Sequence, residues 1–470
     1  MVFHQSTEYR GQTESRITEK VTRLTTSDRH FERTWPSGLK LIWVVVGSLG
    51  CLAGGFLMTA RLVPQQAGPS LHDHGKDFFR QWISVRSYGA GESVYPELSE
   101  AVAQHHVAPY VGLIPHNTNP PACSLLALPI AQRDFTRSLI WWNVFSLICL
   151  AVSVWLICRD PAGAYSPWIF LPVTTLLLLS RPLAEQTHMG QLSLVLLVLL
   201  TIAWAAGQKD WQGVSGAVVG LAIAIKLFPG LLLVHFLARR NWVAVISCAV
   251  AFGLVNLVCG LLFDFDCFRI YVVDVLPGMQ QYFDGWMNAS LKGFCTKLFD
   301  PQSGHVHPLW NRPVLGWWLY FGGSSLIVIL LVIRSWRASG GRDQQLVLGT
   351  YVVAMLLLSP VTWDHYYLLL ILPLGMLWAE TSNILWTRFY LFANIMILGL
   401  VHPKWIWDRT IPGTGELAFG AGTLRSIAEP IHTLTVISYP FYLLVLLFIF
   451  SWWVSGRRTH LARDARAEVN

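Results

Sequence analysis

Asp364 and His365 stand side by side between two long apolar runs, preceded by Trp363 and followed by Tyr366 and Tyr367. An acid, an imidazole and several aromatic or polar groups are thereby gathered at a membrane boundary. Ionisable groups at or inside hydrocarbon are costly unless they are paired or face water, so this placement marks a candidate site.

Asp77 is a second carboxylate with chemical potential, opening the aromatic stretch Asp77-Phe78-Phe79-Arg80-Gln81-Trp82. Where water is excluded, a carboxylate becomes a stronger base and can take the proton of a hydroxyl as that hydroxyl attacks. Asp is equally a favoured helix cap and a helix is expected to begin here, so spacing alone leaves both readings open. Lys226, in Lys226-Leu227-Phe228-Pro229, lies well inside an apolar run, and Pro229 breaks the helix beside it. Its ammonium needs an anion or a water-filled cavity. A lipid phosphate is a natural partner; snorkelling or an internal salt bridge is the alternative.

Other polar groups surround these three in the sequence order. His188, Gly190 and Gln191 begin one apolar run, and Asn288-Ala289-Ser290-Leu291-Lys292 adds polar and cationic groups to a loop. Lys226, Asp364, Asn288, Lys292 and Gln191 are the candidate substrate-binding residues, and Asp77 is a candidate base. Asn119-Pro120-Pro121 reads as a helix start, where a missing N–H costs little. Asp264-Phe265-Asp266 imitates a metal-binding DxD, but it ends an apolar helix without neighbouring ligands, and no metal is expected.

The elements that position these residues follow from composition. With 53% hydrophobic and 13% charged residues among 470, and a mean hydropathy of +0.46, the chain has more apolar surface than a soluble globule can hide. Runs long enough for a hydrocarbon core of roughly 30 Å recur from Leu39 onward, and barrel-like alternation is absent. The expectation is an all-α polytopic membrane protein with about twelve crossings. Many of the 22 Trp lie at run ends, where amphipathic rings favour the headgroup level. The eight Cys show no metal spacing; most fall in apolar runs, and only Cys267 and Cys295 share a loop where a disulfide can be considered. The net charge of +7 is spread over short loops and tails, which speaks for membrane topology and against nucleic acid.

Residues 1–38 read as a polar, disordered cytoplasmic tail, 39–455 as the membrane domain and 456–470 as a cytoplasmic basic tail. The positive-inside bias then puts the loops Gln65–Asn119, Asp264–Arg312 and His402–Glu429 on the outer face together with Trp363–Tyr367. Two surface-lying helices are expected in the first of these loops, over Asp77–Tyr88 and Pro96–His106. No P-loop or dinucleotide fingerprint is present, so energy for any chemistry must arrive with an activated substrate.

The order of short motifs resembles glycosyltransferase family 87 of the GT-C superfamily, which uses polyprenyl-phosphate sugars. The resemblance is carried by Asp77-Phe78, Val94-Tyr95, Asn119-Pro120-Pro121, Gly190-Gln191-Leu192, Ile225-Lys226-Leu227-Phe228-Pro229, Asn288-Ala289-Ser290-Leu291, and Leu358-Ser359-Pro360 leading to Trp363-Asp364-His365-Tyr366. It implies a GT-C-like fold and inverting transfer of a sugar, mannose favoured, from a polyprenyl-phosphate donor to a lipid or glycan acceptor. It implies neither a nucleotide sugar nor a metal or other cofactor. Asp77 matches the general base of the first outer loop, and His365 the imidazole at the start of a late crossing. The resemblance implies that imidazole as a catalytic partner, which orients the base or stabilises the phosphate, and Asp364 as either holding its tautomer or capping the helix. Phe79 and Trp82 stand where relatives often carry tyrosines. A transporter or flippase of lipid-linked sugars is the rival reading, since a Lys beside a broken helix also marks substrate pathways.

Overall fold

The computed structural model describes residues 37–62, 75–105, 115–159, 167–302, 306–338, 341–381, 385–402, 406 and 428–467. Regular structure among them is helical, and extended segments meet only at an isolated parallel bridge between Val306 and Ala428. An apolar chain in lipid has to satisfy its peptide groups within each segment, which is why helices dominate. The helices that matter most to the site are Lys76–Gly89 (α1), Phe135–Cys158 (α2), Arg181–Met189 (α3), Ser193–Gln208 (α4), Gln212–Ile225 (α5), Leu231–Ala238 (α6), Trp242–Phe263 (α7), Leu291–Phe299 (α8), Pro313–Arg337 (α9), Gly341–Leu358 (α10) and Tyr439–Ala467 (α11).

Four described helices are long and apolar enough to cross a membrane: α2, α7, α9 and the Tyr439–Gly456 part of α11. A fifth span arises if α3 and α4, which meet at 116°, are counted as one broken crossing. The sequence led us to expect about twelve. That count takes no span from the 26-residue helix Ser37–Leu62 on the expected first crossing, and others among the expected runs are interrupted. The expected crossing Val214–Ala238 stops at Ile225 and doubles back from Leu231, so that the Asn241 amide beyond α6 donates to the Gln212 side chain at the start of α5 at 2.5 Å, and the Pro167–Leu179 and Leu385–Leu400 helices have only 13 and 16 residues. Hydropathy counts apolar stretches and does not register such breaks.

Helix α10 forms the centre of the bundle, with every residue from Leu346 to Leu357 buried, and it packs along α11. The α5–α7 pair is closer still, because Gly216 and Gly220 put backbone against backbone. A Cβ on Gly216 would lie 2.1 Å from the Ala244 carbonyl oxygen, and one on Gly220 2.3 Å from that of Cys248. Small residues at this spacing permit the close approach on which helix association in lipid relies. The opposite side of α7 exposes Trp242, Ile246, Val250, Leu254 and Leu261, an apolar stripe suited to lipid.

The loop segments expected on one face do come together. Ala289 N–H donates to the Thr362 carbonyl at 2.9 Å, His307 N–H to that of Ala428 at 2.8 Å, and the Arg80 guanidinium reaches the Tyr282 hydroxyl at 3.5 Å. At the far ends of α6 and α9 the basic residues gather: Arg239 donates to the carbonyls of Ser335 and Ala338, and Arg334 to the Ser455 hydroxyl. The first of the two helices expected to lie on the surface spans Lys76–Gly89, with eight of its 14 residues buried, and the second is shorter than expected, Leu98–Gln104. The expected basic tail continues α11 as helix to Ala467. The expected N-terminal tail through Pro36, and the last outer loop apart from residues 402, 406, 428 and 429, lie outside the described residues.

Candidate active site

Helix α1 carries Asp77 on a buried footing. Phe78, Ile83 and Val85 are fully or almost fully buried, and the Phe78 ring stacks on Trp142 of α2 with centroids 5.0 Å apart. The cap position belongs to Gly75, at φ 76°, whose N–H donates to the His188 carbonyl at 2.5 Å. Asp77 sits in the first turn instead, so its carboxylate is not used as the cap. Oδ2 accepts a hydrogen bond from the Gln191 side-chain amide, and Oδ1 lies 3.7 Å from Nη1 of Arg80.

Gln191 reaches Asp77 because the bend between α3 and α4 is rigidly made. Gly190 takes φ 67°, and a Cβ there would meet the Phe78 Cβ at 2.5 Å. Only glycine combines this left-handed backbone with so close an approach. The Trp142 indole donates to the Gly190 carbonyl at 2.9 Å, the Asn143 amide donates to that of Thr187 at 3.0 Å, and the Gln186 side chain donates to the Gln191 carbonyl. Gln191, expected as a substrate ligand, donates one amide hydrogen to Asp77.

Lys226 ends α5 in an extended conformation (φ −147°, ψ 137°), and a 3₁₀ turn over Phe228–Gly230 leads into α6. The break lifts the ammonium out of the helix to the Asn119 side chain, where Nζ donates to Oδ1 at 2.6 Å. The Phe228 ring packs edge-on against Tyr366, 5.2 Å between centroids, so the break adjoins the turn that bears His365.

His365 lies in a 3₁₀ turn, Asp364–Leu370, and is 5% exposed. Its Nε2 has no hydrogen-bond partner among the described residues. Phe228, two residues beyond Lys226, packs on Tyr366 next to His365, and hydrogen bonds run from Lys226 through Asn119, Asn117 and Ser84 to the helix that bears Asp77. A carboxylate, an ammonium and an imidazole from positions 77, 226 and 365 therefore share one locale. Asp364 behaves differently from the expected tautomer-setting partner: its carboxylate forms a buried ion pair with Arg181 of α3.

Asn288 and Lys292 are placed beside this locale with other work to do. The Asn288 amide donates to the carbonyls of Phe283 and Pro360 and accepts from the N–H groups of Ser290 and Thr362, at 2.9 to 3.0 Å. All four of its hydrogen-bonding positions are used. It clamps the 283–290 loop to the Pro360–Thr362 turn. The Lys292 ammonium faces three rings, at 5.4 Å from Phe283, 4.5 Å from Trp317 and 5.1 Å from Tyr320, so cation–π attraction holds it.

All eight cysteines are free, including Cys267 and Cys295. Asp266 pairs with Arg269 on the surface, and no group of three or more metal-ligating side chains occurs among the described residues. Sequence reasoning missed Asn119, Arg80 and Arg181. Each had a signal: Asn119 precedes a proline pair, Arg80 follows Asp77 by three residues, and Arg181 interrupts the boundary of an apolar run.

The profile of glycosyltransferase family 87 matches residues 117–360, just over half of the chain. This chain belongs to glycosyltransferase family 87. The matched segment contains Asn119, Gln191, Lys226, Asn288 and Lys292, and stops short of Asp77 on one side and of Asp364 and His365 on the other. In this family member the fold brings those flanking residues back onto the matched scaffold.

Three curated relatives add detail. A polyprenol-phosphate-mannose-dependent alpha-(1-2)-phosphatidylinositol pentamannoside mannosyltransferase of Mycolicibacterium smegmatis is 27% identical over 266 residues, covering 56% of this chain and 60% of the relative. The protein of the same description from Mycobacterium tuberculosis is 26% identical over 266 residues, covering 56% and 57%. A polyprenol-phosphate-mannose-dependent alpha-(1-2)-phosphatidylinositol mannoside mannosyltransferase of Mycobacterium tuberculosis is 22% identical over 236 residues, covering 47% and 51%. The chain thus spans between about half and three-fifths of the length of the curated relatives it matches.

Proposed function

We propose that this protein transfers a sugar, mannose in the first instance, from a polyprenyl-phosphate donor to a hydroxyl of a lipid or glycan acceptor, with inversion, at the extracytoplasmic face of the cell membrane. The observation that carries the reading is that hydrogen bonds through Asn119, Asn117 and Ser84 tie Lys226 to the helix of Asp77, while Phe228 packs on Tyr366 beside His365. Family membership and the polyprenol-phosphate-mannose dependence in the relatives' names supply the donor class. The gathering of Arg239 and Arg334 at the opposite end of the bundle favours the outer face for the site.

In this reading the acceptor oxygen bonds to the anomeric carbon as the bond from that carbon to the phosphate oxygen breaks. Asp77 receives the hydroxyl proton, and Gln191 and Arg80 keep its carboxylate in place. The polyprenyl phosphate leaves with its developing charge facing the Lys226 ammonium, and His365 offers a ring nitrogen to the same charge. A single displacement with one basic carboxylate inverts the anomeric centre. The free energy comes from the phosphate ester.

The test is to incubate membranes containing the protein with labelled polyprenyl-phosphate mannose and follow the label into a new lipid or glycan. Asp77→Asn should lower transfer by about 10²- to 10⁴-fold, the usual scale of a general base, while insertion and folding are unchanged. His365→Ala should lose less. Label that crosses the bilayer still attached to its carrier would instead favour a transporter.

A further inference from the structure

We infer that Asn119 is a positioning residue, which aims the Lys226 ammonium at the donor phosphate without neutralising it, and that Asn117 ties this cation to the helix of the base. The inference rests on the donor reading above. Lys226 Nζ donates to Asn119 Oδ1 at 2.6 Å. Asn119 Nδ2 donates to Asn117 Oδ1 at 3.3 Å, and the Asn119 backbone N–H donates to the same oxygen at 3.1 Å. Asn117 Nδ2 passes the chain to the Ser84 hydroxyl at 3.2 Å, which donates to the Arg80 carbonyl at 2.8 Å. That carbonyl lies on α1 three residues beyond Asp77. The Tyr95 hydroxyl fixes the other side of Asn119 by donating to its carbonyl at 2.6 Å.

Direction matters in this chain. An ammonium only donates, so Oδ1 of Asn119 must face it, and Nδ2 is then turned to the Asn117 oxygen as observed. Asn117, Asn119 and Ser84 are 0%, 5% and 0% exposed, which leaves the amides no water with which to exchange partners. Three donor sites sit on an ammonium and Asn119 takes one of them. A neutral amide keeps the full positive charge available to a ligand, whereas a carboxylate in its place would form an ion pair and compete with phosphate. The chemistry at position 119 thus calls for an acceptor without charge.

The experiment measures binding alone, with no transfer step, so the inference and the donor reading can fail separately. Full-length protein in detergent micelles is titrated with a polyprenyl phosphate, with the corresponding polyprenol as control, and followed by tryptophan fluorescence. Wild type should prefer the phosphate. Asn119→Ala should weaken phosphate binding about tenfold, the scale of a hydrogen bond to a charged group, and leave polyprenol binding unchanged. Asn119→Asp, equal in size and still an acceptor, should weaken it further. In a Lys226→Met background neither change should have an additional effect. Wild-type affinity in Asn119→Asp, or an Asn119 effect that persists without Lys226, would overturn the inference while leaving the donor reading intact. Equal affinity of wild type for phosphate and polyprenol would remove both.

Discussion

The Gln191 side chain donates to Oδ2 of Asp77 across 114 residues of sequence, so the candidate base is oriented by a bend between two helices and not by its own helix. Oδ1 remains the freer oxygen, with Arg80 at 3.7 Å. Replacing Gln191 by Leu removes the donor that fixes the carboxylate and leaves its charge. The expected result is a fall in kcat of about ten- to a hundredfold, corresponding to about 1.4–2.8 kcal/mol, with KM for donor nearly unchanged. Donor-dependence curves at saturating acceptor check this; a rise in KM at constant kcat would place Gln191 on the substrate instead.

Asp364 and Arg181 form a buried ion pair, with side chains 3% and 9% exposed, and hold the His365 turn against α3. Removing one partner of such a pair strands a charge and typically costs about 3–5 kcal/mol, while replacing both by apolar side chains is often neutral. Asp364→Leu and Arg181→Met alone should therefore lower thermal stability in detergent strongly, and the double variant should recover most of it. Recovery of stability with intact turnover would show that Asp364 acts through the turn and makes no contact with substrate.

Much of the candidate site is legible in sequence because charge is so conspicuous against an apolar background. Asp77, Lys226 and His365 stand out on that ground alone, and Pro229 announces the break beside Lys226. What a polar side chain does with its hydrogen bonds is decided by tertiary contacts. Asn288 reads as a ligand and is consumed by four backbone groups; Asn119 reads as a helix start and holds the lysine. The all-helical class follows from hydropathy. The number of crossings does not, since Lys226 divides what hydropathy treats as continuous.

Lys297 of α8 offers a pH test away from the spans. It is 1% exposed, and its ammonium donates to the carbonyls of Asn288 at 2.9 Å and Trp286 at 3.3 Å. Burial pulls it down from its ordinary 10.5 to about 7, opposed by the nearby charge of Asp284. Above that value the folded state holds Lys297 neutral while the unfolded chain still binds the proton. Folding then releases a proton, so stability contributed through this group rises from about pH 7 toward 10.5 and is flat below. Between pH 7 and 9 the melting temperature of wild type should rise relative to that of Lys297→Met. Parallel profiles for the two proteins would show that Lys297 keeps its charge.

The contact between α5 and α7 predicts how a change far from the site reaches it. Gly216 of α5 has the Ala244 carbonyl oxygen 2.1 Å from the place of a Cβ, whereas Gly253 of α7 has nothing within 4 Å. Alanine suits a helix better than glycine by about 0.5–1 kcal/mol where there is room. Gly253→Ala should thus be neutral or slightly stabilising. Gly216→Ala must push the helices apart or strain them, at a cost of about 1–3 kcal/mol. Because α5 ends at Ile225, any shift of that helix displaces Lys226 relative to Asn119 and His365. The expected signature is a raised donor KM in Gly216→Ala and an unchanged one in Gly253→Ala, measured at a temperature where both remain folded. Equal kinetics for the two would mean that the break at Lys226 absorbs the shift and isolates the cation from the packing of α5.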